Sequence, residues 1–409
     1  VISPFRSTPP LEPAVFAQVR RQAIFDCCKW DPQVEDVATL SSVPLLLEPA
    51  AWSEIAATAE ALAAEAAAAE AELVRRPELH DQLGLPRPVR RALRRAARDG
   101  ASPGAARVMR FDFHATADGW RISEVNSDVP GGFNEASGFT RLMACHVPGA
   151  TPPGDPAGRL ADAVANSIPS GGTVALVHAT AYTDDRQVMV YLSRELAARG
   201  CRPVLAAPDH LCWRDGKAEL CGAAGAGTVD FVLRFFPAEW LPNLSRRSGW
   251  HHYFSGARTP QCNPATALLV QSKRFPLVWD QMATALPAWR RALPETRDPR
   301  EVSWRHDSAG DWVLKPALGR VGDGIGIAGA TEEKDWKMIH RAVQRHPGDW
   351  VAQRRFEALP QDGLFPCIGV YTVDGRAAGA YGRAASRPLI DHRAQDIAVL
   401  IRPCSSGGI

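Results

Sequence analysis

The stretch Arg110–Ser137, RFDFHATADGWRISEVNSDVPGGFNEAS, carries the most structural information in this chain. Two alternating runs flank Asp118-Gly119, a turn dipeptide, and predict a β-hairpin. Successive side chains on a strand point to opposite faces. Met109, Phe111, Phe113 and Val125 therefore share one mostly apolar face. With the register kept, Arg110, Asp112, Glu124 and Asn126 share the other. Asp112, Glu124 and Asn126 are hard oxygen donors of the kind Mg²⁺ accepts beside substrate phosphates. Arg110 adds a planar, permanent cation suited to a phosphate or carboxylate. The plain alternative is the solvated face of an antiparallel sheet.

Outward from the hairpin, a helix is expected from Asn134 to Cys145, and upstream helices near Pro13–Cys27 and over the alanine-rich Glu54–Arg76. Pro148–Pro156 reads as a linker. Beyond it Thr173–His178, a helix over Asp185–Arg199 and Arg202–Ala207 form a compact βαβ unit, and Phe231–Phe235 adds another buried strand. Asn263-Pro264 predicts a helix start with a capping Asn, the helix carrying Lys273 near its end. Asp311–Lys315, Trp350–Phe356 and Cys367–Val373 are expected strands, with a helix near Glu332–Gln344. Asp374-Gly375 turns the chain into a last strand ending near Arg383.

The 409 residues allow two or three domains with substantial cores. A hydrophobic share of 45%, a charged share of 22% and a net charge of +2 fit a soluble globular protein. That charge gives no indication of nucleic-acid or membrane-surface binding. The basic run Arg87–Arg98 reads as a solvated helix face. Nine cysteines lack any C-x-x-C spacing and read as free thiols in a reducing compartment, most of them buried. With no membrane-span candidate and no secretory signal pattern, the expected location is the cytoplasm.

Several downstream residues suit an anionic ligand. Gly319, Gly322, Gly324 and Gly326 follow Lys315, and glycine lets backbone N–H groups approach phosphate oxygens. This is not the P-loop pattern, and the G-x-G-x-x-G at Gly324–Gly329 is expected in a β-turn loop rather than at a helix start, which argues against a dinucleotide oxidoreductase. Lys273 is a second candidate phosphate ligand. Gln353 alternates with apolar neighbours and can read an adenine edge. Arg383 can stabilise charge on a transferring phosphoryl group. Asp184, Asp185 and Arg186 follow a strand end, where open parallel sheets bind ligands. No G-x-S-x-G, H-E-x-x-H or Cys–His pairing is present.

With these residues in view, the chain resembles an ATP-grasp ligase of the glutathionylspermidine synthase type. Arg110-Phe-Asp112, Glu124-Val-Asn126 and Asn134-Glu135-Ala-Ser137 follow that family's R-x-D strand, E-x-N strand and acidic helix start. Lys273, Lys315-Pro-Ala-Leu-Gly319-Arg320-Val-Gly322, Gln353 and Gly382-Arg383 resemble its later motifs. The resemblance implies an α+β / α/β chain with an ATP-grasp fold and a small parallel-sheet βαβ pre-ATP-grasp domain. It divides the chain into 1–150 (helical segment and metal-site hairpin), 151–250 (βαβ substrate side) and 251–409 (nucleotide-binding part).

The same resemblance implies ATP and Mg²⁺ as cofactors. Asp112, Glu124 and Asn126 would hold the metal. Lys273, Lys315, Gly319, Gly322 and Gly324 would hold the phosphates, and Gln353 the adenine. Arg110 and Arg383 would stabilise an acyl phosphate that a small-molecule amine then attacks. Val321 stands where an acidic residue is expected and would alter loop closure. No amidase domain is recognisable. The implied activity is a carboxylate–amine ligase. The alternatives are loading of an acyl-carrier-protein thiol, whose docking the Arg87–Arg98 run would suit, and a non-catalytic nucleotide-binding regulator.

Overall fold

The computed structural model describes residues 3–402 except 7, 32, 35, 36, 103, 305–309, 320, 321 and 323. Its centre is an antiparallel sheet that begins with the expected hairpin, β1 (Val108–Thr116) and β2 (Gly119–Asn126). Gly119 takes φ +98°, which a side chain would resist, and starts β2 directly after the turn. Next along the chain comes a parallel sheet of β3 (Thr173–Val177), β4 (Arg202–Ala206), β5 (Phe231–Arg234) and β6 (Gln261–Cys262). Its order is β6-β5-β3-β4, and the helix Thr183–Ala198 makes the β3-to-β4 crossover.

A third sheet joins β7 (Thr296–Arg297), β8 (Trp312–Pro316), β9 (Gly326–Ile327) and β10 (Trp350–Arg354) in the order β7-β10-β8-β9. The helix Glu333–Arg345 backs it, with Ile339 and Val343 packed against Trp312 and Leu314. The chain then returns to the central sheet as β11 (Phe365–Val373), β12 (Arg376–Ala385) and β13 (Gln395–Ile397). The central order is β13-β12-β11-β1-β2, so strands far apart in sequence pair side by side.

One face of the central sheet is core and the other lines a cleft. Phe111, Phe113, Ile122, Val125, Ile368 and Val370 belong to the largest apolar cluster. The helix Pro49–Arg75 packs there, and its Ala59, Ala63, Ala66 and Ala69 are small enough for close approach. Trp289 closes the layer edge-on to Phe111 at 6.0 Å and to Phe275 at 5.3 Å. Burial of such aromatics contributes about 2–3 kcal/mol each before entropy is counted.

The helix Arg87–Asp99 buries Val89, Leu93 and Ala96 and exposes Arg91, Arg94, Arg95 and Arg98, as its sequence predicts. Among the described residues no helix is long and apolar enough to cross a membrane.

Two expectations are corrected. Cys212 and Cys221 form a disulfide across the hairpin of Leu211–Arg214 and Lys217–Leu220, so the thiols are not all free. Spacing alone hid this pair, because a hairpin register sets which residues face each other. Asn263 does not cap a helix. Its amide donates to the carbonyls of Val108, Ser127 and Asp128 and accepts from the Val108 N–H. The expected helix does follow, as a 3₁₀ turn at Ala265–Ala267 running into a short α-helix at Leu268–Gln271 that ends before Lys273, while the Asn263 side chain ties β1 to the end of β2.

Candidate active site

The polar face of β1 and β2 opens into a cleft of about 610 Å³ between the central sheet, the third sheet and the Pro388–Ala394 segment. Arg110 lies opposite Asn126, and Asp112 opposite Glu124. After Glu124 the register shifts, and Phe113 pairs with Ile122. Ser123 is therefore the extra residue of a β-bulge, a device common beside active sites. Ile122 and Val125 are an odd number of residues apart, yet both are core. The bulge resolves that conflict and turns Ser123, Glu124 and Asn126 together into the cleft.

Most of the residues singled out from sequence meet in this cleft. Arg110, Asp112, Glu124, Asn126, Lys315, Gly322, Gln353 and Arg383 line it. Lys273 reaches its edge through an ion pair with Glu124 at 2.9 Å and donates to the Gly319 carbonyl at 3.2 Å. Gly319 and Gly324 sit in the adjoining loop without lining the cleft. Val321, whose effect on loop closure was in question, is outside the described residues.

Arg110 forks onto both Asp112 oxygens, at 2.8 and 3.0 Å, and donates to the Gly131 carbonyl at 2.8 Å. Its guanidinium lies 5.2 Å from the centre of the Tyr381 ring. The Asn126 amide donates to Asp112 at 3.2 Å. Burial alone would raise the Glu124 carboxyl, but the Lys273 and Lys315 ammoniums outweigh it and hold it below the usual range. Two carboxylates and an amide in cross-strand register are a donor set that suits Mg²⁺ shared with phosphates.

Lys315 donates to the Ser123 carbonyl at 3.0 Å and to Gln353 Oε1 at 2.6 Å. Burial, with help from Lys273 and against the pull of Glu124, lowers its ammonium to about 8. The Gln353 amide also donates to Thr296 at 3.2 Å, so both ends of the side chain have protein partners. His114 stays neutral, pushed down to about 4 by burial and by Lys315, and its ring rests against Phe356. Arg383 donates to the carbonyls of Asp391 and Ala394, at 2.7 and 3.2 Å, and so holds the segment that covers the cleft.

Gly322 has φ +74°, and an added Cβ would press on the Ile390 carbonyl oxygen. Gly322→Ala is expected to strain the loop by roughly 1–3 kcal/mol. Nucleotide affinity should then fall about tenfold or more by calorimetry. Unchanged affinity would show that the loop moves freely.

Sequence reading missed the far end of the cleft. Lys29, barely exposed, pairs with Glu135 at 2.5 Å, Asp396 at 2.8 Å and Asp31 at 3.1 Å. Tyr381 donates to Asp396 at 2.7 Å. These residues come from four separate segments, so no local spacing marks them. Asp184 and Asp185, noted from sequence, line the same end with Tyr182 and Trp240. Besides these, the local signal was Glu135 in the acidic helix start.

A protein of Haemophilus influenzae named "Putative acid--amine ligase" is 25% identical over 158 residues. The match covers 37% of this chain and 36% of that protein, so the chain spans about a third of the length of this curated relative. The structure of a glutathione synthetase-like effector from Globodera pallida aligns over 95% of this chain and 97% of its own, with a TM-score of 0.62 at 12% identity. That likeness, with the sheets described above, makes the fold an ATP-grasp fold. Residues 39–402 match the family described as glutathionylspermidine synthase preATP-grasp, and the chain belongs to that family.

Proposed function

We propose that this chain is an ATP-dependent ligase that joins a small-molecule carboxylate to an amine, through an acyl phosphate, with release of ADP and phosphate. The observation that carries this reading is the wall of the cleft. Arg110, Asp112, Glu124, Asn126 and Lys315 converge there, with Lys273 at its edge. Phosphoryl transfer to a carboxylate brings anions together, so positioned cations supply most of the stabilisation.

In this reading Asp112, Glu124 and Asn126 hold Mg²⁺, which neutralises phosphate charge when bound. Lys273, Lys315 and the loop of Gly319, Gly322 and Gly324 hold the ATP phosphates. Gln353 and the apolar surface of Val313, Ile325, Ile327 and Phe356 receive the base. Arg110 and Arg383 face the charge that grows on the transferring group. Residues 251–409 supply most of the nucleotide site, 151–250 the substrate side and 1–150 the hairpin. The names of the relatives support the class of reaction and leave the substrates open.

The test is ADP release with Mg²⁺-ATP and pooled carboxylates, with hydroxylamine as a trap for the acyl phosphate. One pool should yield both ADP and a hydroxamate. Arg110→Ala and Asp112→Asn should each lower that rate by about 100-fold or more. A lysine at position 110 should rescue little, because it cannot reproduce the two-pronged contact. A protein that binds no ATP would refute the proposal.

A further inference from the structure

The far end of the cleft holds a carboxyl that the scheme above does not use. Glu135 is buried at the start of the helical turn Asn134–Phe139 and lines the cleft. One of its oxygens, Oε1, meets Lys29 at 2.5 Å. The other, Oε2, is buried with no hydrogen-bond partner among the described residues. A buried carboxylate oxygen without a donor is costly, and natural proteins keep such atoms for a reason. Three carboxylates, Glu135, Asp31 and Asp396, surround the Lys29 ammonium, and Arg383 lies 3.8 Å from Asp396 as a second cation.

This corner is connected to the phosphate end. Lys29 bonds Asp396, Asp396 accepts from Tyr381, and the Tyr381 ring lies under Arg110. Gly131 and Gly132 fill the gap between them. A side chain at Gly132 would press on both Tyr371 and Tyr381, about 3.0 Å from each.

We propose that Glu135 is the general base for the acceptor amine; this rests on the ligase reading above. An amine arrives in water as an ammonium, which has no lone pair to attack with. Glu135 Oε2 takes one N–H proton. The free amine then attacks the acyl-phosphate carbonyl. A C–N bond forms, the C–O bond to phosphate breaks, and phosphate leaves with the electron pair. The second N–H proton leaves with the phosphate.

The groups that face Glu135 are Lys29, Asp31, Asp396, Cys27, Tyr371 and Tyr381. Burial raises its carboxyl; Lys29 opposes the shift, while Asp396 and Asp31 add to it. A raised carboxyl is a stronger base near neutral pH. Below its pKa Glu135 is protonated and idle, so the rate with an ammonium substrate rises with pH through that value.

The experiment compares hydroxylamine with primary alkylamines such as propylamine as acceptors, using Mg²⁺-ATP and the carboxylate that yields a hydroxamate. Hydroxylamine is already mostly neutral at pH 7 and needs no base. Glu135→Gln should lower the alkylamine rate by about 100-fold or more. Its hydroxamate rate should fall less than about tenfold, which also shows that the variant is folded. Lys29→Gln keeps the base and removes the charge that lowers its pKa, so the acid limb of the alkylamine profile should move to higher pH. Equal losses with both nucleophiles in Glu135→Gln would overturn the proposal and leave the ligase reading standing. A wild type that uses hydroxylamine but no alkylamine would also overturn it. No hydroxamate from the wild type would sink the ligase reading and this inference with it.

Discussion

Deletion of Ser123 is expected to abolish Mg²⁺-nucleotide binding and to destabilise the chain by about 3 kcal/mol or more. The reason is the period of a strand. Ile122 and Val125 are both in the core, although simple alternation would place them on opposite faces. The bulge at Ser123 absorbs the odd residue. Without it, one side of the strand must turn over. Either Ile122 reaches the cleft, or Glu124 and Asn126 enter the apolar layer against Phe111 and Trp289. The second arrangement buries a carboxylate away from Lys273 and removes from the cleft two of the three side chains proposed to hold the metal.

Ser123→Ala is the control. It keeps the bulge and loses only the hydroxyl contacts to His114 at 3.1 Å and the Asp112 carbonyl at 3.4 Å. Its cost should stay near 1 kcal/mol. Calorimetry with Mg²⁺-ATP and urea unfolding would measure both variants. Normal nucleotide binding by the deletion would show that the register does not set the site.

Arg234→Met is expected to cost about 3–5 kcal/mol, the largest loss of stability for a residue outside the cleft. Arg234 and Asp128 form a fully buried ion pair. Arg234 also donates to the carbonyls of Asn263 at 2.9 Å and Phe236 at 2.6 Å, and Asp128 accepts from the Ala238 N–H at 2.9 Å. Removing the arginine leaves a carboxylate buried without its cation. The loop after Asn126 is fixed by this pair and by Asn263, and its Gly131 carbonyl receives Arg110 and Tyr371. Nucleotide affinity should therefore fall together with stability. Urea unfolding would read the first effect. A change below about 1 kcal/mol would mean that water or another donor replaces the guanidinium.

Much of the wall was legible because it is local. Arg110, Asp112, Glu124 and Asn126 lie on two strands joined by a tight turn, and alternation within sixteen or so residues suffices to group them. Lys315 was legible as a strand-end cation before the glycine loop and Gln353 as a polar residue among apolar strand neighbours, but their pairing needed the antiparallel register of β8 and β10. The bulge at Ser123 was not legible, since nothing in SEVN distinguishes a bulged residue from a paired one. Asn263 was misread for a related reason. Asn before Pro caps helices often, yet here a strand passes within its reach and offers stronger partners.

The sequence by itself determined the longer helices and strands, the apolar face of the central hairpin and the charged groups that this hairpin carries, but not the short strands Thr296–Arg297, Gly326–Ile327 and Gln395–Ile397, the last of which lies beyond the expected final strand. Those properties depend on neighbours one to four residues away, where backbone geometry is set. Only the tertiary structure decided the far corner of the cleft. Lys29, Glu135, Tyr381 and Asp396 have no common spacing, and they meet because strand order places β12 and β13 beside the N-terminal segment and the turn after β2. Burial there then sets their chemistry, since a carboxyl acquires a raised pKa from the water and the charges it has lost or gained on folding.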